Sequence, residues 1–260
     1  MTVELSRFAA IVAGRFRFMQ IMSQRRIQPA DFRRIYEIFD APVSRFDCGR
    51  FCAPLNGGEP VCCSTENAIP IVDRAEFALL QSRSDLWQRY RATDAVGKEL
   101  VRDMHSSCLA VECKGVRHCE RANRSLACRA FPFFPYIDRN RHFIGLSIHW
   151  TFADRCWVMS NLEIVDAEYR RQFVEAHELL FEKDPDEFQL HVEYSASLRR
   201  VFSRKRLAIP LIDRDGGLFK ILPYGGKMVP ARPSTLPKFG PYRSERAYQA
   251  AVAAAEVAAA

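Results

Sequence analysis

Cysteine is the residue type whose number and spacing in this sequence point most directly to chemistry. The 260 residues contain nine cysteines, and an odd number cannot pair completely in internal disulfides. Thiolates are soft donors that suit zinc, cuprous copper and iron–sulfur clusters. Eight cysteines in two groups are therefore the candidate metal ligands. These are Cys48, Cys52, Cys62 and Cys63, and then Cys108, Cys113, Cys119 and Cys128.

The spacing of these thiols leaves the number of sites and the metal open. Four thiolates on short loops, often in two pairs, make a structural zinc site, so eight suffice for one or two such sites or for one cluster with spare thiols. The adjacent Cys62 and Cys63 direct their side chains differently in most backbone conformations. One of them is expected to serve a given ion, unless the pair bridges two ions or turns sharply. Because this pattern differs from a common zinc ribbon, we favour an iron–sulfur cluster over zinc. We interpret the isolated Cys156 as a core thiol.

The cysteine pattern resembles the YkgJ-like cysteine-cluster family, a bacterial-type family regarded as zinc- or iron-chelating. Its motif is a cysteine pair, a CC doublet, a C-x-F-L segment, a further cysteine and an R-P-x-x-C-R-x-F-P-F signature. The residues that match are "CGRFC" from Cys48, the doublet Cys62-Cys63, "CLAV" from Cys108, Cys119, and "RSLACRAFPF" from Arg124 to Phe133. The resemblance covers residues 48 to about 133 and implies a metal-binding protein that ligates zinc or an iron–sulfur cluster through thiolates.

This sequence departs from the family pattern at four places, one of which is the nine-residue separation between the first pair and the doublet. The first pair is separated by three residues instead of two, and Ser125 stands where proline is usual. Cys113 is an additional thiol between two matched positions. It is therefore an alternative to Cys108 as the functional ligand.

A second function follows from the same resemblance. Flagellin lysine methylases are similar to this family through their cysteine cluster. That similarity implies, as an alternative, an iron–sulfur protein that N-methylates flagellin lysines with S-adenosylmethionine as the methyl donor. Catalytic and cofactor-binding residues outside positions 48–133 are not recognisable in the sequence, so whether the protein is an enzyme stays open.

Residues beside the cysteines supply further expectations. Arg124 and Arg129 either offset the negative charge of a thiolate site, which is costly when it is not compensated, or are solvated at the surface. His105 and His118 lie close to Cys108 and Cys119 in the sequence. Either could complete a mixed site, and we interpret them as neighbours of the site. The aromatic run from Phe131 to Pro135 predicts an apolar wall that packs the cysteine loop onto the core.

Composition and charge favour a cytoplasmic protein with no membrane or nucleic-acid partner. No apolar stretch approaches the ~20 residues needed to span a bilayer, and charges such as Arg15 and Arg17 interrupt any export signal. An amphipathic helix is predicted at the N-terminus from the apolar spacing of Leu5, Phe8, Val12, Phe16 and Met19. The net charge is +7, but the arginines are scattered among acids and form no single basic run.

The elements that must position the cysteines predict an α+β fold that is mainly helical, with short β-hairpins and irregular cysteine-bearing loops in one compact domain. Residues 1–240 form that domain with a cysteine-cluster core at 48–135, and residues 241–260 form an alanine-rich helical tail capped by Ser244. Hairpin turns are predicted at Asp138–Arg141 and Asp213–Gly217. Helices are predicted from about residue 29 to 39, 73 to 92, 166 to 181 and 185 to 202.

Overall fold

Helices and short antiparallel strands alternate along the chain, and the computed structural model describes residues 27–65 and 67–259. The amphipathic helix predicted near the N-terminus lies outside these residues. The described helices are α1 (Pro29–Ile38), α2 (Gly49–Cys52), α3 (Arg74–Arg83), α4 (Ala95–Asp103), α5 (Leu126–Ala130), α6 (Ala167–Lys183), α7 (Pro185–Lys205) and α8 (Glu245–Ala259). The described strands are β1 (Ile71–Asp73), β2 (Trp87–Arg89), β3 (Cys108–Cys113), β4 (Phe133–Ile137), β5 (Phe143–Ile148), β6 (Ile209–Asp213), β7 (Leu218–Ile221) and β8 (Met228–Pro230).

The described strands form two antiparallel sheets. The larger has the order β4-β5-β6-β7-β8, and the smaller has the order β1-β3-β2. Both predicted hairpins are confirmed: Asp138 N donates to His142 O at 2.9 Å in the first turn, and Asp213 N donates to Gly217 O at 2.9 Å in the second. The smaller sheet carries two of the candidate ligands at the ends of its central strand.

Strands β5 and β6 approach each other closely at Gly145. This residue pairs with Asp213 and has φ +153°. A Cβ atom at this position would lie 2.1 Å from the carbonyl oxygen of Ile212. Glycine is therefore required where the two hairpins join into one sheet.

Helices α6 and α7 form the antiparallel pair that packs against the larger sheet. Asp184 ends the first helix and caps the second, since its carboxylate accepts hydrogen bonds from the backbone N–H groups of Asp186 at 3.0 Å and Glu187 at 3.2 Å. Pro185 occupies the first position of α7, where a missing N–H costs nothing. This short connection confirms the helices that the sequence predicts on either side of it.

A buried aromatic group joins α1 to α6. Phe39 is fully buried, with ring centroids 5.2 Å from Tyr169 and 5.8 Å from Phe173. Burial of each such side chain contributes about 1.5–3 kcal/mol. The Tyr169 hydroxyl donates to the carbonyl of Ala130 at 2.6 Å, so the same group also fixes the end of α5, the helix that carries Cys128.

The region between the two cysteine groups differs from the single helix predicted for residues 73–92. Helix α3 ends at Arg83 because Ser84 adopts an extended conformation with φ −163°. Trp87 then pairs with Cys113 in strand β2. The aromatic residues that suggested helical spacing are thus divided between a helix and a strand. Helix α4, strand β3 and the short helix α2 were not predicted.

The described residues are built around one contiguous hydrophobic core. The fold is α+β and mainly helical in one compact domain, as the sequence predicts. The alanine-rich helix α8 begins after Ser244, whose hydroxyl accepts a hydrogen bond from Ala247 N at 3.2 Å. Among the described helices, none combines the length and the apolar character that crossing a bilayer requires.

Candidate metal centre

The first group of cysteines lies on a tightly folded segment that begins at helix α2. Cys48 precedes the first residue of this helix and Cys52 ends it. At Gly49 an added Cβ atom would lie 3.1 Å from the ring of Pro60, so the helix is held close to the turn that carries Cys62 and Cys63. Local backbone geometry therefore brings both pairs of this group together.

Cys62 and Cys63 lie on one 3₁₀ turn, with their sulfur atoms 3.9 Å apart. The contact between the two thiols, followed by burial and the charge of Cys63, raises the pKa of Cys62. The same contact, with a further contribution from Arg124, lowers the pKa of Cys63 to about 7. The doublet therefore contains one thiol that ionises near neutral pH and one that stays protonated.

The second group of cysteines is divided by strand β3. Cys113 lies at the end paired with Trp87, and Cys108 lies at the end paired with Asp73. Five residues of antiparallel strand separate them by about 17 Å, and their odd spacing directs the side chains to opposite faces of the strand. One of these two thiols is therefore remote from the rest of the group.

Electrostatic neighbours identify which end of β3 belongs with the other cysteines. After burial, the pKa of Cys113 is raised by the charges of Cys63 and Cys119. The pKa of Cys108 is raised to about 12 by burial and by the nearby carboxylates of Glu187, Asp73 and Asp184. Cys113 therefore lies among the thiols, and Cys108 lies among acids.

Cys119 and Cys128 are the other thiols of the second group that lie near Cys113. Cys128 lies on α5, which is capped by Ser125: the Ser125 hydroxyl accepts a hydrogen bond from Cys128 N at 3.3 Å. Burial, followed by the charges of Cys113 and Cys63, raises the pKa of Cys128 to about 12. The serine that departs from the family motif is thus the residue that starts the helix carrying Cys128.

Arg124 is the cation of the thiol cluster. Its Nε donates to the sulfur of Cys119 at 3.1 Å. Burial lowers its pKa, but the bond to Cys119 and the charges of Cys119, Cys128 and Cys63 outweigh that effect and raise it. Of the two alternatives for this arginine, compensation of thiolate charge is the one that the contacts favour. We use the name Arg124 cluster for Cys63, Cys113, Cys119 and Cys128 together with this guanidinium.

Arg129 has a different environment. Its guanidinium donates to the backbone carbonyls of Arg124 at 3.0 Å and Ala122 at 2.7 Å, and it lies over the ring of Tyr36 at 4.4 Å. It also forms an ion pair with Asp40 at 3.2 Å. Arg129 therefore supports the backbone beneath the cluster without contacting a thiol, and it is not solvated at the surface.

Cys156 is buried, with 6% exposure. Burial raises its pKa, with smaller contributions from the charges of Cys48 and Cys52. The pKa of Cys48 is likewise raised to about 11 by burial and then by Cys52. The isolated thiol of the sequence is thus a core residue that borders the first cysteine group.

The two histidines beside the cysteines have different surroundings. His105 Nδ1 lies 2.7 Å from the hydroxyl of Ser107, which lies 3.6 Å from the sulfur of Cys108. His118 lines a cavity of about 290 Å³ together with Cys119, Lys114 and Arg117. Of the Arg124 cluster, Cys119 is the member that lines this cavity.

The cysteine region suits a soft metal ion by the type of its donor atoms. All nine cysteines are free thiols, and the gathered thiolates with an adjacent cation are the soft donor set that zinc and iron–sulfur clusters take. Within residues 27–65 and 67–259, no three His, Cys, Asp or Glu side chains are arranged so that they could hold one ion. Binding would therefore require reorientation of the thiols and loss of their protons.

Comparison of the chain with protein-family models, with curated proteins and with solved structures gives no match. The resemblance to the YkgJ-like family consequently depends on the motif residues themselves.

Proposed function

We propose that this protein binds zinc or an iron–sulfur cluster through cysteine thiolates, with the iron–sulfur cluster favoured. The observation that carries the proposal is the Arg124 cluster, in which thiols from a 3₁₀ turn, a strand end, a loop and a helix lie near one another and one guanidinium contacts the sulfur of Cys119. A site made of separate segments beside a half-buried cation is what a negatively charged thiolate centre requires. Isolated cysteines with a purely structural role do not require such a cation.

The position of the thiols reduces the eight candidate ligands to four. Cys63, Cys113, Cys119 and Cys128 are the proposed ligands of one centre. Cys48, Cys52 and Cys62 are adjacent thiols available to it or to a second ion. Cys108 lies at the far end of β3, and we propose Cys113 in its place. When bound, the metal would hold these four segments together, so binding free energy would be coupled to folding.

The protonation of the thiols sets the condition for loading. Burial holds Cys128 protonated at neutral pH because its pKa is raised to about 12, whereas the pKa of Cys63 is lowered to about 7. Metal binding must displace the proton from the half-buried thiol of Cys128, so the apparent metal affinity increases with pH. Cys63 is the thiol from which ligation would begin.

Anaerobic purification followed by absorbance spectroscopy and elemental analysis tests the proposal. A brown protein with iron and labile sulfide would identify the cluster and exclude zinc alone. A colourless protein with stoichiometric zinc would exclude the cluster. A folded protein that contains neither metal, and that takes up neither under anaerobic reconstitution, would refute metal binding.

Single substitutions locate the site. Cys63→Ser and Cys128→Ser should each lower the bound metal and the melting temperature, since both thiols belong to the Arg124 cluster. Full metal content together with an unchanged melting temperature in both variants would show that the ligands lie elsewhere.

A further inference from the structure

A cavity of about 530 Å³ lies between helix α8 and the segment that carries the first cysteine group. Cys52 and Val61 line it on the side of the cysteine segment. Its volume falls within the range of about 300–1,000 Å³ that is typical of small-molecule sites. None of the four thiols of the Arg124 cluster lines this cavity.

The wall formed by α8 consists of Ala247, Ala251 and Ala255. A spacing of four residues places them on one face of the helix, and all three are partly buried, whereas Ala253 and Ala254 on the other side are exposed. Because the three facing side chains are methyl groups, they leave the space next to Cys52 open. The alanine-rich composition of the C-terminal helix thus creates an apolar surface inside the cavity.

A connected set of polar side chains lies in the same cavity. Arg155 Nη1 donates to Asn67 Oδ1 at 2.6 Å, and Asn67 Nδ2 donates to Asn56 Oδ1 at 2.9 Å. These bonds hold the Arg155 guanidinium in place before any ligand binds. The side chains of a second cation, Arg243, and of one acid, Asp154, also line the cavity.

Among the described residues that line the cavity, the two guanidinium groups outnumber the single carboxylate of Asp154. Within the described residues, neither Arg155 nor Arg243 takes part in a salt bridge. The Nε of Arg243 donates to the carbonyl of Gly240 at 2.9 Å, which orients its planar end. Guanidinium groups bind carboxylates and phosphates through paired, charge-assisted hydrogen bonds.

We propose that this cavity binds a small organic anion with an apolar body. Arg155 and Arg243 contact its carboxylate, sulfonate or phosphate group, and the alanine face of α8 packs against its apolar part. The proposal does not depend on metal binding, since none of these contacts involves the Arg124 cluster.

Titration with 8-anilino-1-naphthalenesulfonate tests the proposal, because this dye combines a sulfonate with apolar rings and fluoresces when it enters an apolar site. The native protein should bind it saturably. Ala251→Leu fills the cavity and should weaken binding about tenfold or more. Arg243→Gln removes one charge-assisted hydrogen bond and should weaken it about tenfold.

Ala253→Leu is the matched control, since it adds the same side chain to the exposed side of the same helix and should leave binding unchanged. Near-ultraviolet circular dichroism and melting temperature establish that each variant is folded. If Ala251→Leu fails to fold, Arg243→Gln, which alters an exposed side chain, decides the question.

Displacement of the dye identifies the anion. Phenyl phosphate and benzoate share one ring and differ in their charged group, and benzyl alcohol is the neutral analogue. Stronger displacement by phenyl phosphate would assign a phosphate ligand, and stronger displacement by benzoate a carboxylate. Displacement by neither, equal displacement by benzyl alcohol, or native-like dye binding by Arg243→Gln would overturn the proposal. Measurement of metal content in the same preparations keeps this result distinct from the metal-binding test.

Discussion

Cys113 and Cys108 stand at opposite ends of strand β3, where Cys113 pairs with Trp87 and Cys108 with Asp73. The motif resemblance matched Cys108, whereas the tertiary structure brings Cys113 among the other thiols. We therefore expect Cys113→Ser to lower the bound metal of the anaerobically purified protein to less than half. Cys108→Ser is the matched control and should retain the native metal content, as measured by elemental analysis. The reverse result would restore the motif assignment.

Removal of the Arg124 guanidinium should raise the pKa of Cys63. Arg124 contributes to lowering that pKa to about 7, so in Arg124→Gln the thiol should need a higher pH to ionise. Alkylation of the metal-free protein with iodoacetamide, followed by mass spectrometry across pH 6–9, reports the shift at this residue. Arg89→Gln, on the exposed side of β2, should leave the profile unchanged. If the pH dependence of Cys63 alkylation were unchanged in Arg124→Gln, Arg124 would not contribute to the pKa of Cys63.

Glu76 makes the stability of the protein depend on pH. Burial raises its pKa to about 7, above the value of about 4.3 expected in the unfolded chain. The folded state therefore binds the proton more tightly. Its contribution to the free energy of unfolding is fully present below about pH 4 and is lost as the pH rises through 7.

Glu76→Gln should remove this pH dependence. The same oxygen, Oε1, accepts hydrogen bonds from the Tyr36 hydroxyl at 2.5 Å and from Leu126 N at 2.6 Å, and the glutamine carbonyl can accept both. We expect the variant to exceed the native protein in unfolding free energy at pH 8 by about 1–3 kcal/mol. Urea unfolding at pH 5 and pH 8 measures the difference. A native-like loss of stability between these pH values in the variant would assign the effect to another group.

Gly145→Ala should destabilise the larger sheet. The added Cβ atom would lie 2.1 Å from the Ile212 carbonyl oxygen in a backbone conformation with φ +153°, and we expect a loss of about 3 kcal/mol or more in unfolding free energy. Gly58→Ala is the comparison: φ is +87° but nothing lies within 4 Å, so about 1 kcal/mol is expected from backbone strain alone. Urea unfolding that gave equal losses for both would contradict the close approach of β5 and β6.

Local patterns in the sequence were sufficient where neighbouring residues determine the structure. The helix that begins at Pro29, the pair divided at Asp184 and the turn at Asp213–Gly217 were predicted, because caps, prolines and glycines act over a few residues. Trp87 was misassigned to a helix because its partner, Cys113, lies far along the chain. Strand pairing of this kind carries little signal in the residues of either strand.

By itself, the sequence determined the chemical class of the candidate site: eight clustered thiols are soft donors whatever the fold. Tertiary structure alone decided which of them meet. It placed Cys108 among carboxylates, brought Arg124 to the sulfur of Cys119, and directed Arg129 to the backbone beneath the cluster. The physical reason is that side-chain type sets what an atom can bind, whereas strand register and helix packing set which atoms are close enough to bind together.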